Sequence, residues 1–132
     1  MTTIPALLLS ALVASLVPLA AGPKFGEITL QLVFALVIVA PLVETLIMAA
    51  VIELLLLARF PPALAIAVSS VGWGIAHSLK AVTWGLVIWW PFLIFSTLYI
   101  TWRGKGPALA IGIVFAVHAL NNLAPALLLF FA

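Results

Sequence analysis

The chain of 132 residues has no cysteine and very little charge: five Lys or Arg and three acidic residues. Without cysteine there is no disulfide, no thiolate nucleophile and no thiolate metal site. Only 6% of the residues are charged, where a soluble domain carries about 25%. In their place, 67% are hydrophobic and the mean hydropathy is +1.45, which makes this an integral membrane protein. Acidic or basic tails, long linkers, internal repeats and low-complexity tracts are also missing. That leaves no room for a separate soluble domain, and nucleic acid is not an expected partner. Residues 1–132 read as a single membrane domain, all-α, a polytopic helical bundle of about five spans. The net charge of +2 implies nothing beyond ordinary juxtamembrane basic residues.

Breaks fall where Pro, Gly and charge cluster between runs of about 20 apolar residues. Ile4 to Ala21 ends in small residues like a signal peptide, but Met1-Thr2-Thr3 lacks a basic n-region, so it reads as the first transmembrane helix. The second run, about Glu27 to Ala58, is too long. At ~1.5 Å per residue it would reach about 48 Å, well beyond a ~30 Å hydrocarbon core. It must tilt, protrude or break, and Pro41 is where a kink is expected. Further helices are expected over about Pro61 to Leu79, Thr83 to Trp102 and Pro107 to Phe131. Trp84, Tyr99 and Trp102 have the character of interface anchors, and Trp89-Trp90-Pro91 of a groove lining.

Against this apolar background the polar residues inside the spans carry the information. Glu44, in Ala40-Pro41-Leu42-Val43-Glu44-Thr45, is a carboxylate at membrane depth, costly unless it is protonated, paired or wet. His77, His118, Asn121 and Asn122 are the others. Measured from the loops holding Arg59 and Arg103-Lys105, Glu44, His77, His118 and Asn122 lie about 21, 24, 17 and 23 Å along their helices. Three helices thus place polar groups in one slab of the membrane. His118 and Asn122 are i and i+4 and share a face, while Asn121, about 100° round, is expected to face elsewhere. Glu53, half a turn round from Glu44 and near Arg59, reads as structural. No Ser-His-Asp or Ser-Lys arrangement emerges. Two imidazoles and a carboxylate (Glu44, His77, His118) would also suit Zn²⁺ with an open position for water, although no H-E-x-x-H pair is present.

The three motifs Glu44-Thr45-Leu46-Ile47-Met48-Ala49, Trp73-Gly74-Ile75-Ala76-His77 and His118-Ala119-Leu120-Asn121-Asn122 resemble the E-E-x-x-x-R, F-x-x-x-H and H-x-x-x-N/D blocks of the CPBP (ABI) family. These are CAAX-type proteases and bacteriocin-processing enzymes, which are glutamic intramembrane proteases. The resemblance covers about residues 32–123. Thr45, Ala49 and Trp73 depart from the pattern. Positions 45 and 49 are i and i+4, so a whole ion pair has been lost and no orphan charge is left behind. The resemblance implies an intramembrane endopeptidase, metal-free, in a prokaryotic cell membrane. Glu44 would be the general base and His77 its proton shuttle, with His118 and Asn122 holding the oxyanion. The substrate would be a peptide segment, CaaX-like or a leader peptide, and membrane lipids the surrounding partners. The alternatives are a zinc-dependent form of the same protease and a non-catalytic scaffold or immunity-type binding protein. In the scaffold, His118 and Asn122 would serve as interhelical polar glue.

Overall fold

The structure, a computed structural model, describes residues 3–16 and 26–131. They form five helices and no strand: α1 (Thr3–Leu16), α2 (Leu30–Leu57), α3 (Pro62–Ser78), α4 (Val82–Arg103) and α5 (Pro107–Phe131). The first expected helix ran to Ala21, and its part beyond Leu16 lies outside the described residues. Three helices, α2, α4 and α5, are long and apolar enough to cross a membrane. That count is of the described residues only, and the first of the five expected spans extends outside them. α3 has 17 residues, about 25 Å of helix, short of a full ~30 Å crossing.

The helix ends follow from local chemistry. Thr29 caps α2, its Oγ1 accepting from Leu32 N at 3.2 Å. α2 stops at a Schellman turn, with Phe60 N donating to Leu55 O and Arg59 N to Leu56 O. Arg59 takes the left-handed φ of 64° there, and Pro61-Pro62 forbids continuation. Within α2 the break expected at Pro41 takes the form of a π-helical turn over Ala35–Val39, directly ahead of the proline.

The core is a cluster of Met48, Ala49 and Ile52 from α2, Phe92, Phe95 and Tyr99 from α4, and Ala110 and Val114 from α5. Lipid tails are as apolar as these side chains, so what holds the helices is close packing and polar contact. The tightest crossing is α3 on α4. There a Cβ on Gly85 would overlap Ser78 Oγ and the Gly74 carbonyl oxygen, so backbone meets backbone. Leu and Ile side chains such as Leu54, Leu57, Leu86 and Leu120 stay exposed on the outside, as a lipid-facing surface requires. Tyr99 does not face the interface as an anchor. It is 1% exposed, because its hydroxyl reaches inward to Glu53.

Candidate active site

A cavity of about 640 Å³ opens between the helices, and Glu44, His77, His118 and Asn122 all line it. α2 supplies Glu44, α3 supplies His77 from its last turn, and α5 supplies His118 and Asn122. Asn121 lines it too, buried and donating from Nδ2 to Asn122 Oδ1 at 3.4 Å, so the expectation that it faces elsewhere is corrected. The cavity is wide enough to take two neighbouring positions of one helix. α1 closes part of the wall with Ala6, Leu7 and Ser10.

At the centre the Glu44 carboxylate is bracketed by the two imidazoles. His77 Nε2 is 3.6 Å from Oε1 and His118 Nε2 is 3.3 Å from Oε2. The far nitrogens decide what the near ones can do. His77 Nδ1 is 2.9 Å from the Trp73 carbonyl oxygen, which only accepts, so Nδ1 carries the hydrogen. In the neutral ring Nε2 is then an acceptor facing another acceptor, Glu44 Oε1, across 3.6 Å. A hydrogen must bridge that gap, from a shared proton or from a water donating one hydrogen to each. His118 is the opposite case. Its Nδ1 lies 3.5 Å from Thr45 Oγ1, a hydroxyl that can donate to it and leave Nε2–H free to donate to Glu44 Oε2.

Aromatic rings fix the imidazoles. Trp84 stands edge-on to His77 with centroids 4.9 Å apart, and Phe95 lies against His118 at 4.4 Å. Phe92 touches both imidazoles and stacks on Trp73. Of the expected groove residues, Pro91 lines the cavity with Trp84, whereas Trp89 and Trp90 do not. Asn122 donates from Nδ2 to Leu36 O at 3.1 Å, tying α5 to the π turn of α2.

Phe92 is the site residue that sequence reasoning does not name, and as one apolar ring among many it leaves no signal. Asn121 and Trp84 are named but expected elsewhere, and Thr45 reads only as a departure from the family pattern, whereas it is completely buried beside His118. Glu53 is structural, but its partner is not Arg59. Arg103 Nε and Nη2 bind its two carboxylate oxygens at 2.8 and 2.7 Å, and Tyr99 Oη donates at 2.9 Å. Among the described residues no group of three His, Asp or Glu is arranged to hold a metal ion.

A family model described as type II CAAX prenyl endopeptidase Rce1-like matches residues 26–124, which takes in α2 to α4, most of α5 and all four site residues. No curated protein and no solved structure matches the chain. The matched family is one of CAAX-type endopeptidases acting within the membrane, and its substrates are peptides or proteins. With three membrane-length apolar helices around the cavity, the chain is an integral membrane protein that belongs to the Rce1-like family of type II CAAX prenyl endopeptidases.

Proposed function

We propose that the protein is an intramembrane endopeptidase that hydrolyses a peptide bond with water activated between Glu44 and His77. The observation that carries this reading is the pair of acceptors, Glu44 Oε1 and His77 Nε2, facing each other across 3.6 Å at the cavity wall. A water placed there donates one hydrogen to each, which turns its lone pairs toward a substrate carbonyl. Glu44 takes the proton as the oxygen attacks and hands it across the gap to His77 Nε2. His77, anchored through Nδ1 on Trp73 O, passes that proton to the leaving amine as the C–N bond breaks. The Nε2–H of His118, which holds Glu44 Oε2 in the resting site, is the donor offered to the developing oxyanion, with the second amide hydrogen of Asn122 beside it.

The substrate is a peptide segment entering the largely apolar cavity from the bilayer or its surface. A CaaX-like C-terminus and a leader peptide both fit that description. A zinc-dependent form would use Glu44, His77 and His118 as ligands, in a geometry closer to a common centre than the one described above. The deciding experiment is cleavage of a peptide library by the purified protein and by Glu44→Gln, with metal analysis of the same sample. Cleavage by the wild type alone supports the hydrolase. Equal cleavage by both removes Glu44 as the base. No cleavage by either leaves the scaffold as the better reading, and stoichiometric zinc with chelator-sensitive activity replaces the metal-free mechanism.

A further inference from the structure

The π turn ahead of Glu44 leaves one backbone carbonyl without its helical donor. In an α-helix Leu36 O would accept from Ala40 N–H, but that N–H bonds Ala35 O instead. The donor one residue further on is Pro41, which has no N–H. A buried carbonyl without a hydrogen costs about 1–3 kcal/mol, so such groups are found paired. Here the partner comes from another helix: Asn122 Nδ2 donates to Leu36 O at 3.1 Å. Asn122 is itself held by Asn121, whose Nδ2 donates to its Oδ1 at 3.4 Å. Leu36, Ala40 and Glu44 all line the cavity, and Pro41 between them is fully buried.

We infer that Pro41 is a positioning residue for the hydrolysis. By withholding its N–H it keeps the π turn open and presents Leu36 O to Asn122. That one bond fixes the α2 segment carrying the base to the α5 segment carrying the oxyanion donors. The two halves of the site are thereby held in register by a backbone defect, an arrangement that π turns recurrently provide at functional sites. The kinetic part of this inference rests on the hydrolase reading, while its structural part does not.

The test uses the full chain in detergent, labelled with [¹⁵N]asparagine. The only two asparagines are Asn121 and Asn122, so the spectrum contains just two side-chain amides. In the wild type one Asn122 amide hydrogen should be shifted downfield and slow to exchange. Pro41→Ala restores an N–H, lets the turn close to α-helix and satisfies Leu36 O internally. The Asn122 hydrogen should then move upfield and exchange freely. kcat should fall about tenfold or more at nearly constant KM, since sub-ångström misplacement is paid in rate. Thermal stability should not fall, because a proline has been removed from a helix. Pro41→Ser restores the same N–H and serves as the second variant. An unchanged Asn122 amide in the variants overturns the bond as described, and a displaced amide with unchanged kcat overturns the positioning role. If the wild type cleaves no peptide, the hydrolase reading fails, and the amide spectra still decide whether Pro41 makes the bond.

Discussion

Glu44 and Glu53 sit on one helix, about two and a half turns apart; Glu44 meets side chains from two other helices, α3 and α5, and Glu53 from α4. Glu53 is firmly held: both oxygens are taken by the Arg103 fork and a Tyr99 hydroxyl adds a third bond, all within 2.9 Å. Glu44 has contacts at 3.3 and 3.6 Å, one of them to a nitrogen that in the neutral ring has no hydrogen to give. Glu53 lies beside the packed Met48–Ile52–Tyr99 core, Glu44 beside an open cavity. A carboxylate with three short bonds to protein donors, out of about four acceptor sites, is held in place and has little capacity left for a substrate. One that is bracketed but unsaturated is stored in a reactive state.

The largest expected effect separates the two directly. Glu44→Gln removes the proposed base while keeping the shape, and should lower kcat/KM by about 10²–10⁴-fold, the usual contribution of general base catalysis. Its unfolding in a mixed-micelle titration should shift little. Glu53→Gln should do the reverse, leaving kcat within about twofold, as for a site with no shared partner, while lowering stability. If both substitutions inactivate the protein to the same degree without unfolding it, the distinction between a reactive and a structural carboxylate collapses.

Next in size is Gly85→Ala. The added methyl would meet Ser78 Oγ and the Gly74 carbonyl oxygen, so α3 must move off α4 and carry His77 with it. Overpacking of this kind costs about 1–3 kcal/mol. The loss should appear both in the unfolding titration and in kcat, because His77 leaves Glu44. Wild-type activity in Gly85→Ala would mean that the base pair tolerates a displaced α3, and the site would then depend less on rigid crossing than its geometry suggests.

How much of this was legible in the chain follows from which interactions are local. Pro107–Phe131 began where Pro and the Gly turn marked it, and the ends of α2 to α4 fell within a few residues, because capping and proline chemistry are written locally. That Glu44, His77, His118 and Asn122 could meet was legible as well, since a constant helix rise sets them level, and they line one cavity. Pairings across the bundle were not. Glu53 meets Arg103 fifty positions away, and no periodicity announces it. Tyr99 had the composition of an interface anchor and turned inward because Glu53 needed a donor. Pro41 marked where an N–H is missing, but the donor that meets the freed Leu36 O, Asn122, lies 86 positions on, and nothing local announces it.

A smaller effect tests the structural half of the comparison. The Glu53 and Arg103 side chains are 36% and 38% exposed, so water competes for their charges. A double-mutant cycle of Glu53→Gln and Arg103→Gln should return a coupling of about 1 kcal/mol or less. A coupling several times larger would mean that the pair is dry in the membrane and holds α2 to α4 more strongly than the exposed surface implies.

An effect of similar size concerns Thr45. Its hydroxyl is fully buried and 3.5 Å from His118 Nδ1, long for a hydrogen bond but facing that nitrogen directly. If the hydroxyl donates, it keeps the hydrogen of neutral His118 on Nε2, where Glu44 and an oxyanion can use it. Thr45→Val preserves the volume and removes the donor. It should cost about 0.5–1.5 kcal/mol in transition-state stabilisation, roughly a two- to tenfold loss in kcat. Thr45→Ser should recover most of it. A carboxylate at the same position would only accept, pulling the hydrogen onto Nδ1 and leaving a bare Nε2 against Glu44 unless the ring became charged. The hydroxyl therefore suits the tautomer with hydrogen on Nε2, and Ala49, one turn on at 4% exposure, simply packs in the apolar core. Should Thr45→Val match the wild type in kcat, the contact is packing alone and the tautomer of His118 is set by Glu44.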